Sequence, residues 1–156
     1  MRRKDKEMSD PAEIEAAIAE AQVGRLAMCD GEQPYVVPVC FGYRDGAFYI
    51  HSAAEGRKIG ILKKNPQVCL ELEAGVALKP GRKACDWGMH FRSVIAFGTI
   101  SFLEDAAARR AGLDIIMAHY GSAEFEYRPE ALAKTTVLRM DVTEMTGKRA
   151  GNNSGG

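Results

Sequence analysis

Tyr35-Val36-Val37-Pro38-Val39-Cys40-Phe41-Gly42-Tyr43, then Arg44-Asp45-Gly46, then Ala47-Phe48-Tyr49-Ile50-His51-Ser52, is the stretch that decides the fold. Two runs rich in β-branched and aromatic residues flank an Asp-Gly pair, the residues that a tight hairpin turn requires. A second Asp-Gly pair, Asp30-Gly31, separates the first run from Val23 to Cys29, which also reads as a strand. The three runs predict an antiparallel meander. Pro38 has no N–H to give to a ladder, so it marks an edge, a bulge or a place where a ligand replaces pairing.

Outward from this centre, Asp10-Pro11-Ala12-Glu13 supplies a capping residue, a proline at the first helical position and an acidic third residue. Ile14, Ala17, Ile18 and Ala21 follow at helical spacing. Gly56 to Asn65 predicts a short helix ended by Asn65-Pro66, and Gln67 to Glu73 a fourth strand. Ala74 to Gly88 reads as a loop, Phe91 to Leu103 as a fifth strand with Gly98 at a bulge or bend. Asp105 to Tyr120 predicts a helix with Leu113, Ile116 and Met117 on one face. Gly121 to Lys134 reads as irregular with a helical turn, and Thr135 to Val142 as a sixth strand. The expectation is a mainly β fold, a six-stranded antiparallel barrel with flanking helices. It forms one domain over residues 1–148, and 149–156 are expected to be a disordered tail.

Composition narrows the function. The chain has 156 residues, 46% hydrophobic and 27% charged, enough for one packed core without disulfides or metals. Acidic and basic residues balance at 21 each, so no long-range field favours nucleic acid or an anionic membrane. No apolar run approaches the ~18 residues of a membrane span. Met1-Arg2-Arg3-Lys4-Asp5-Lys6 has no apolar segment behind it, and a cytoplasmic protein is expected. Cys29, Cys40, Cys69 and Cys85 are scattered; the first three lie in apolar runs and are expected to be buried. His51, His90 and His119 are too dispersed to predict a metal site. Nucleophile-elbow, Walker A, dinucleotide-loop and zinc-protease motifs do not occur.

The most informative chemistry is His51-Ser52-Ala53-Ala54-Glu55-Gly56-Arg57-Lys58. A strand end carrying His and Ser, a glycine at the turn and two cations opening a helix is what a phosphate group needs. Each charge-assisted bond contributes about 1.5–3 kcal/mol. The competing reading is a solvated basic helix start. Arg92 opens an otherwise apolar strand and, read alone, snorkels to solvent.

Taken in order, Gly24-Arg25-Leu26-Ala27, Pro34 to Val39, His51 to Lys58, Asn65-Pro66, Arg92 to Gly98 and Thr146-Gly147-Lys148 form a distinctive series. This series resembles the pyridoxamine 5′-phosphate oxidase-like FMN-binding split barrels, in the branch of the nitroimidazole-resistance (Nim) proteins. The resemblance implies a homodimer with FMN at the subunit interface and an oxidoreductase that passes electron pairs to a small nitroaromatic acceptor from an external donor. It implies that Val36, Val37 and Pro38 line the flavin ring and that Ser52, Arg57 and Lys58 hold its phosphate. It implies too that Arg92 and Ser93 reach the cofactor from the partner subunit. His51 is the candidate proton donor or substrate anchor, or else only orients the phosphate loop. The segment with Trp and Arg residues that true pyridoxamine phosphate oxidases carry at their C-terminus has no counterpart here, which argues against vitamin B6 oxidation. FAD, a deazaflavin or haem in place of FMN, and a flavin carrier or sensor without a dedicated substrate, are the alternatives.

Overall fold

The computed structural model describes residues 3–121 and 125–151. Its elements are β1 (Glu7–Met8), α1 (Pro11–Glu20), β2 (Gly24–Asp30), β3 (Gln33–Val39), β4 (Phe41–Arg44), β5 (Ala47–Ala53), α2 (Arg57–Lys64), β6 (Gln67–Lys79), β7 (Gly88–Phe102), α3 (Ala106–Tyr120), α4 (Pro129–Lys134) and β8 (Thr135–Ala150). The strands form one antiparallel sheet in the order β3-β2-β6-β7-β8-β5-β4, with β1 added to β8.

That order forces a barrel. β3 and β4 stand at opposite ends of the sheet, six inter-strand intervals apart, yet only Cys40 separates them in the chain. A flat sheet would set them about 29 Å apart, whereas two consecutive Cα–Cα steps span less than about 8 Å. The sheet therefore curls until its edges meet, joined by a peptide and split where a ladder would otherwise run.

The break at Cys40 corrects the expected meander. The run from Tyr35 to Tyr43 is two strands: β3 pairs with β2 (Val37 opposite Leu26) and β4 pairs with β5 (Phe41 opposite Ile50). At the switch the Phe41 N–H donates to Tyr120 Oη at 3.0 Å, and that hydroxyl donates to the Gln22 carbonyl at 2.9 Å. His119 seals the same seam, its Nε2 2.7 Å from the Ala21 carbonyl and its ring against Phe41.

Other expectations move outward. Residues 74–79 are not loop: β6 runs on to Lys79 and β7 starts at Gly88, because Gly75, at φ +61°, absorbs a register shift and lets pairing resume at Ala77 opposite His90. The bulge expected at Gly98 lies on the facing strand, where β8 skips Thr143 between Glu144 opposite Phe97 and Val142 opposite Gly98. β8 continues past Val142 to Ala150, so Arg149 and Ala150 belong to the sheet and not to a tail. Residues 152–156 lie outside the described residues. The described residues form eight strands where six were expected. Cys29 and Cys40 are exposed and Cys69 half-buried, against expectation, because the alternation of β2 and β6 turns Cys29 and Cys69 outward.

Leu26, Phe41, Phe48, Ile50, Leu70, Leu72, Val94, Leu138 and Met140 fill the barrel interior. Ile14, Ala17 and Ile18 of α1 close one end and Ile59, Ile61 and Leu62 of α2 the other. Asp10 and Asp105 cap α1 and α3 by accepting from the Ala12 and Ala108 N–H groups. No helix among the described residues is long and apolar enough to cross a membrane.

α3 lies so close to β4 that a Cβ on Gly42 would stand 2.5 Å from the Ile115 carbonyl oxygen. Gly42→Ala should therefore cost about 1–3 kcal/mol in chemical denaturation. Gly60→Ala, in open space on α2, should be neutral or stabilising by up to about 1 kcal/mol. Equal effects of the two would contradict this packing.

Candidate functional site

The connection from β5 into α2 carries three of the sequence-predicted residues, Ser52, Arg57 and Lys58. Ile59, Ile61 and Leu62 pin the helix to the barrel end, which leaves its first turn outside. Gly56, at φ +119°, precedes it, and no side chain among the described residues caps its first N–H groups. These free donors point to where the macrodipole is positive.

Arg57 lies over the Tyr35 ring at 4.5 Å and reaches Asp30 Oδ2 at 3.5 Å. This ties α2 to the β2–β3 turn and to the start of the Val36–Pro38 stretch. Lys58 is half-buried, makes no ion pair among the described residues, and is pushed below the ordinary lysine range by that burial. Burial without a counterion disfavours the charged form of such a group. Ser52, half-buried at the end of β5, opens the same connection.

β3 is an edge strand, paired on one side only, so its other row of backbone N–H and C=O groups is open. Val36 and Pro38 face outward, while Val37 packs against the core. His51 also points outward, opposite Val137 of β8, on the face of β5 away from Ile50. Strand alternation therefore separates the His51 and Ser52 side chains to opposite faces.

Arg92 and Ser93 are elsewhere. Gly24 of β2 is level with Leu72, and Leu72 with Val94; Arg92 is two residues beyond. Asp30, beside Arg57, is six residues the other way. The eight residues between them amount to about 26 Å along the strands. Arg92 is paired with Glu20 of α1, its side chain only 16% exposed, and its buried Nε has no partner among the described residues. Ser93 faces the opposite side of β7, across from Glu73 and Lys148.

Three participants were not among the expected site residues. The sequence marks Asp30 only as part of an Asp-Gly turn and Tyr35 only as a strand residue, and it singles out nothing at Glu20; their contacts with Arg57 and Arg92 are long-range and no local pattern encodes them.

With this geometry in place, comparison with known proteins becomes informative. The sequence model of the pyridoxamine 5′-phosphate oxidase family matches residues 10–149. The chain belongs to the pyridoxamine 5′-phosphate oxidase family. Within its fold, the crystal structure of a candidate 5-nitroimidazole antibiotic resistance protein from Bacteroides thetaiotaomicron is 36% identical. That match covers 92% of this chain and 86% of that one, with a TM-score of 0.82. An FAD-binding protein from Mesorhizobium loti is 25% identical, over 91% of this chain and 96% of the other, at a TM-score of 0.66. A flavocytochrome from Azotobacter vinelandii, 18% identical, shares the fold at a TM-score of 0.84, over 97% of this chain and 72% of its own. A curated, uncharacterised protein from Rhizobium meliloti (strain 1021) is 33% identical over 60 residues, 38% of this chain and 39% of that protein. The family and the split barrel agree with the resemblance read from the motifs.

Lys58 carries its own test. Its folded-state pKa lies below the ordinary 10.5, so the charged form opposes folding at neutral pH. That penalty fades as pH rises through the window between the folded value and 10.5. Lys58→Met should raise the denaturation midpoint at pH 7, with the advantage shrinking toward pH 10. A lowered midpoint at pH 7 would mean that the ammonium has a stabilising partner.

Proposed function

We propose that this protein is a cytoplasmic flavin-binding oxidoreductase that works as a homodimer, with FMN held at the interface between two copies. The observation that carries this reading is the α2 corner: uncapped N–H groups, Ser52, Arg57 braced by Tyr35 and Asp30, and the uncompensated Lys58. These groups fit a flavin's phosphate. Ser52 would donate its hydroxyl, Arg57 two parallel N–H groups, and Lys58 a point charge already stripped of part of its water. The open backbone edge at Val36, Val37 and Pro38 would lie along the flat ring.

The flavin, when bound, supplies the two-electron chemistry, and the chain supplies position and charge. His51 stands outside the barrel, where it can hand a proton to an acceptor or anchor it. The 36% identical Bacteroides protein supports small nitroaromatic compounds as acceptors, and the FAD-binding relative from Mesorhizobium loti supports a flavin.

The separation of Arg92 and Ser93 from the α2 corner supports the dimer. If both ends serve one cofactor, the second end must come from another copy. A surface suited to that copy exists. Val36, Ala27, Cys69 and Phe97 are directly opposed in turn across β3, β2, β6 and β7, all outward-facing. Val36 is 59% and Phe97 47% exposed, with Ile95 beside them at 40%. An apolar row this long on a soluble sheet marks an interface.

An absorption spectrum of the purified protein, with identification of what denaturation releases, tests the cofactor; flavin bands and released FMN are expected. Arg57→Ala with Lys58→Ala should then weaken FMN binding by about a hundredfold or more. Riboflavin, which lacks the phosphate, should bind both proteins alike. Unchanged FMN affinity in the double variant would remove the phosphate assignment.

A further inference from the structure

The end of the barrel remote from α2 carries a second concavity. The β6–β7 hairpin and its loop, together with the start of β7 and the end of β8, border an open groove of about 740 Å³, within the size range of ligand pockets. Its walls combine two chemistries. Trp87, 52% exposed, and Phe91 offer flat aromatic surface, and Met89 adds an apolar side chain that is 42% exposed. Lys6, Lys79 and Lys148 bring three cations, and none of them makes an ion pair among the described residues. Lys148 Nζ is over the Phe91 ring at 5.6 Å, which holds its charge at the pocket wall. The carboxylate in the lining, Asp86, is engaged by its own loop, where it accepts from the Lys83 N–H at 3.3 Å. The pocket is therefore positive and aromatic at once.

From this we propose that the pocket is a binding site for a nucleoside phosphate, with the base stacked on Trp87 and the phosphates drawn by Lys79, Lys148 and Lys6. A bare anion would leave the aromatic wall unused, and an uncharged aromatic would leave three unpaired ammonium groups without a partner. A nucleotide uses both. The site is separate from the α2 corner, since Lys148 opposes Ser93 and not any residue near Arg57. The binding needs no flavin. Its meaning for catalysis does rest on the proposed dimer: the pocket adjoins Ser93, so its ligand would stand beside the cofactor of the other copy. ADP is the half of a nicotinamide dinucleotide that such a pocket would grip.

Trp87 is the sole tryptophan of the chain, so its fluorescence reports this pocket directly. The experiment titrates ADP, adenosine and pyrophosphate into the wild type and into two variants, Lys79→Ala/Lys148→Ala and Arg57→Ala/Lys58→Ala. Saturable quenching by ADP is expected in the wild type, with adenosine and pyrophosphate each at least about tenfold weaker. The Lys79/Lys148 variant should lose about tenfold or more in ADP affinity, and the Arg57/Lys58 variant none. The proposal falls if ADP gives no saturable change, if pyrophosphate binds as well as ADP, or if the response survives in the Lys79/Lys148 variant. It falls too if the response is lost in the Arg57/Lys58 variant. A wild type that responds to ADP while failing to bind FMN would overturn the proposed function and leave this site standing.

Discussion

One peptide step closes this barrel. Val39 ends the strand at one edge of the sheet and Phe41 begins the strand at the other, so the intervening strands have to curl around a shared interior. Much else follows from that closure. The chain leaves one ladder at Val39 and joins the next at Phe41, whose N–H donates to the Tyr120 hydroxyl. The Tyr120 hydroxyl is pushed above its ordinary range by burial and stays a neutral donor to Gln22. α3 must then lie close against β4, which is why position 42 has no room for a side chain. Closure also leaves β3 with a free backbone edge beside α2, and that edge is part of the candidate site.

Local patterns read the elements well. The Asp10 and Asp105 caps, both Asp-Gly turns and the helical spacing of Ile14, Ala17 and Ile18 all mark real boundaries or buried faces. Where the reading failed, the information was not local. The run from Tyr35 to Tyr43 looks like one strand because its residues favour extended backbone throughout. Only the positions of β2 and β5 show that Cys40 divides it. Ala74 to Lys79 looks like loop because Gly75 and the later Lys-Pro-Gly dominate its composition, yet a single glycine bulge is enough to keep the two strands paired. The outward turn of Cys29 and Cys69 depends on register, and a period-two pattern alone cannot say which face is inside.

The site shows the same division. The proposed phosphate cradle, His51 to Lys58, can be read from sequence because its requirements are short-range: a strand end, a glycine and two cations. The bracing of Arg57 by Tyr35 and Asp30 cannot, since those residues come from a hairpin more than twenty positions away. The uncompensated charge on Lys58 is a cost to the fold that a bound anion would relieve. Arg92, held by Glu20 on the α1 side of the sheet, and Ser93 on the other side are too far from that cradle to serve the same cofactor within one chain. If both groups serve one cofactor, as proposed, they do so from two chains.

Subunit complementation tests that claim most directly. Arg57→Ala/Lys58→Ala chains and Arg92→Ala/Ser93→Ala chains are unfolded together, refolded as an equal mixture, and titrated with FMN. Neither variant alone should bind at FMN concentrations that just saturate the wild type. The mixture should recover about a quarter of the wild-type sites, since half the dimers are mixed and each carries one intact site. A mixture that binds no FMN, while wild type treated in the same way does, would contradict a site shared between two copies.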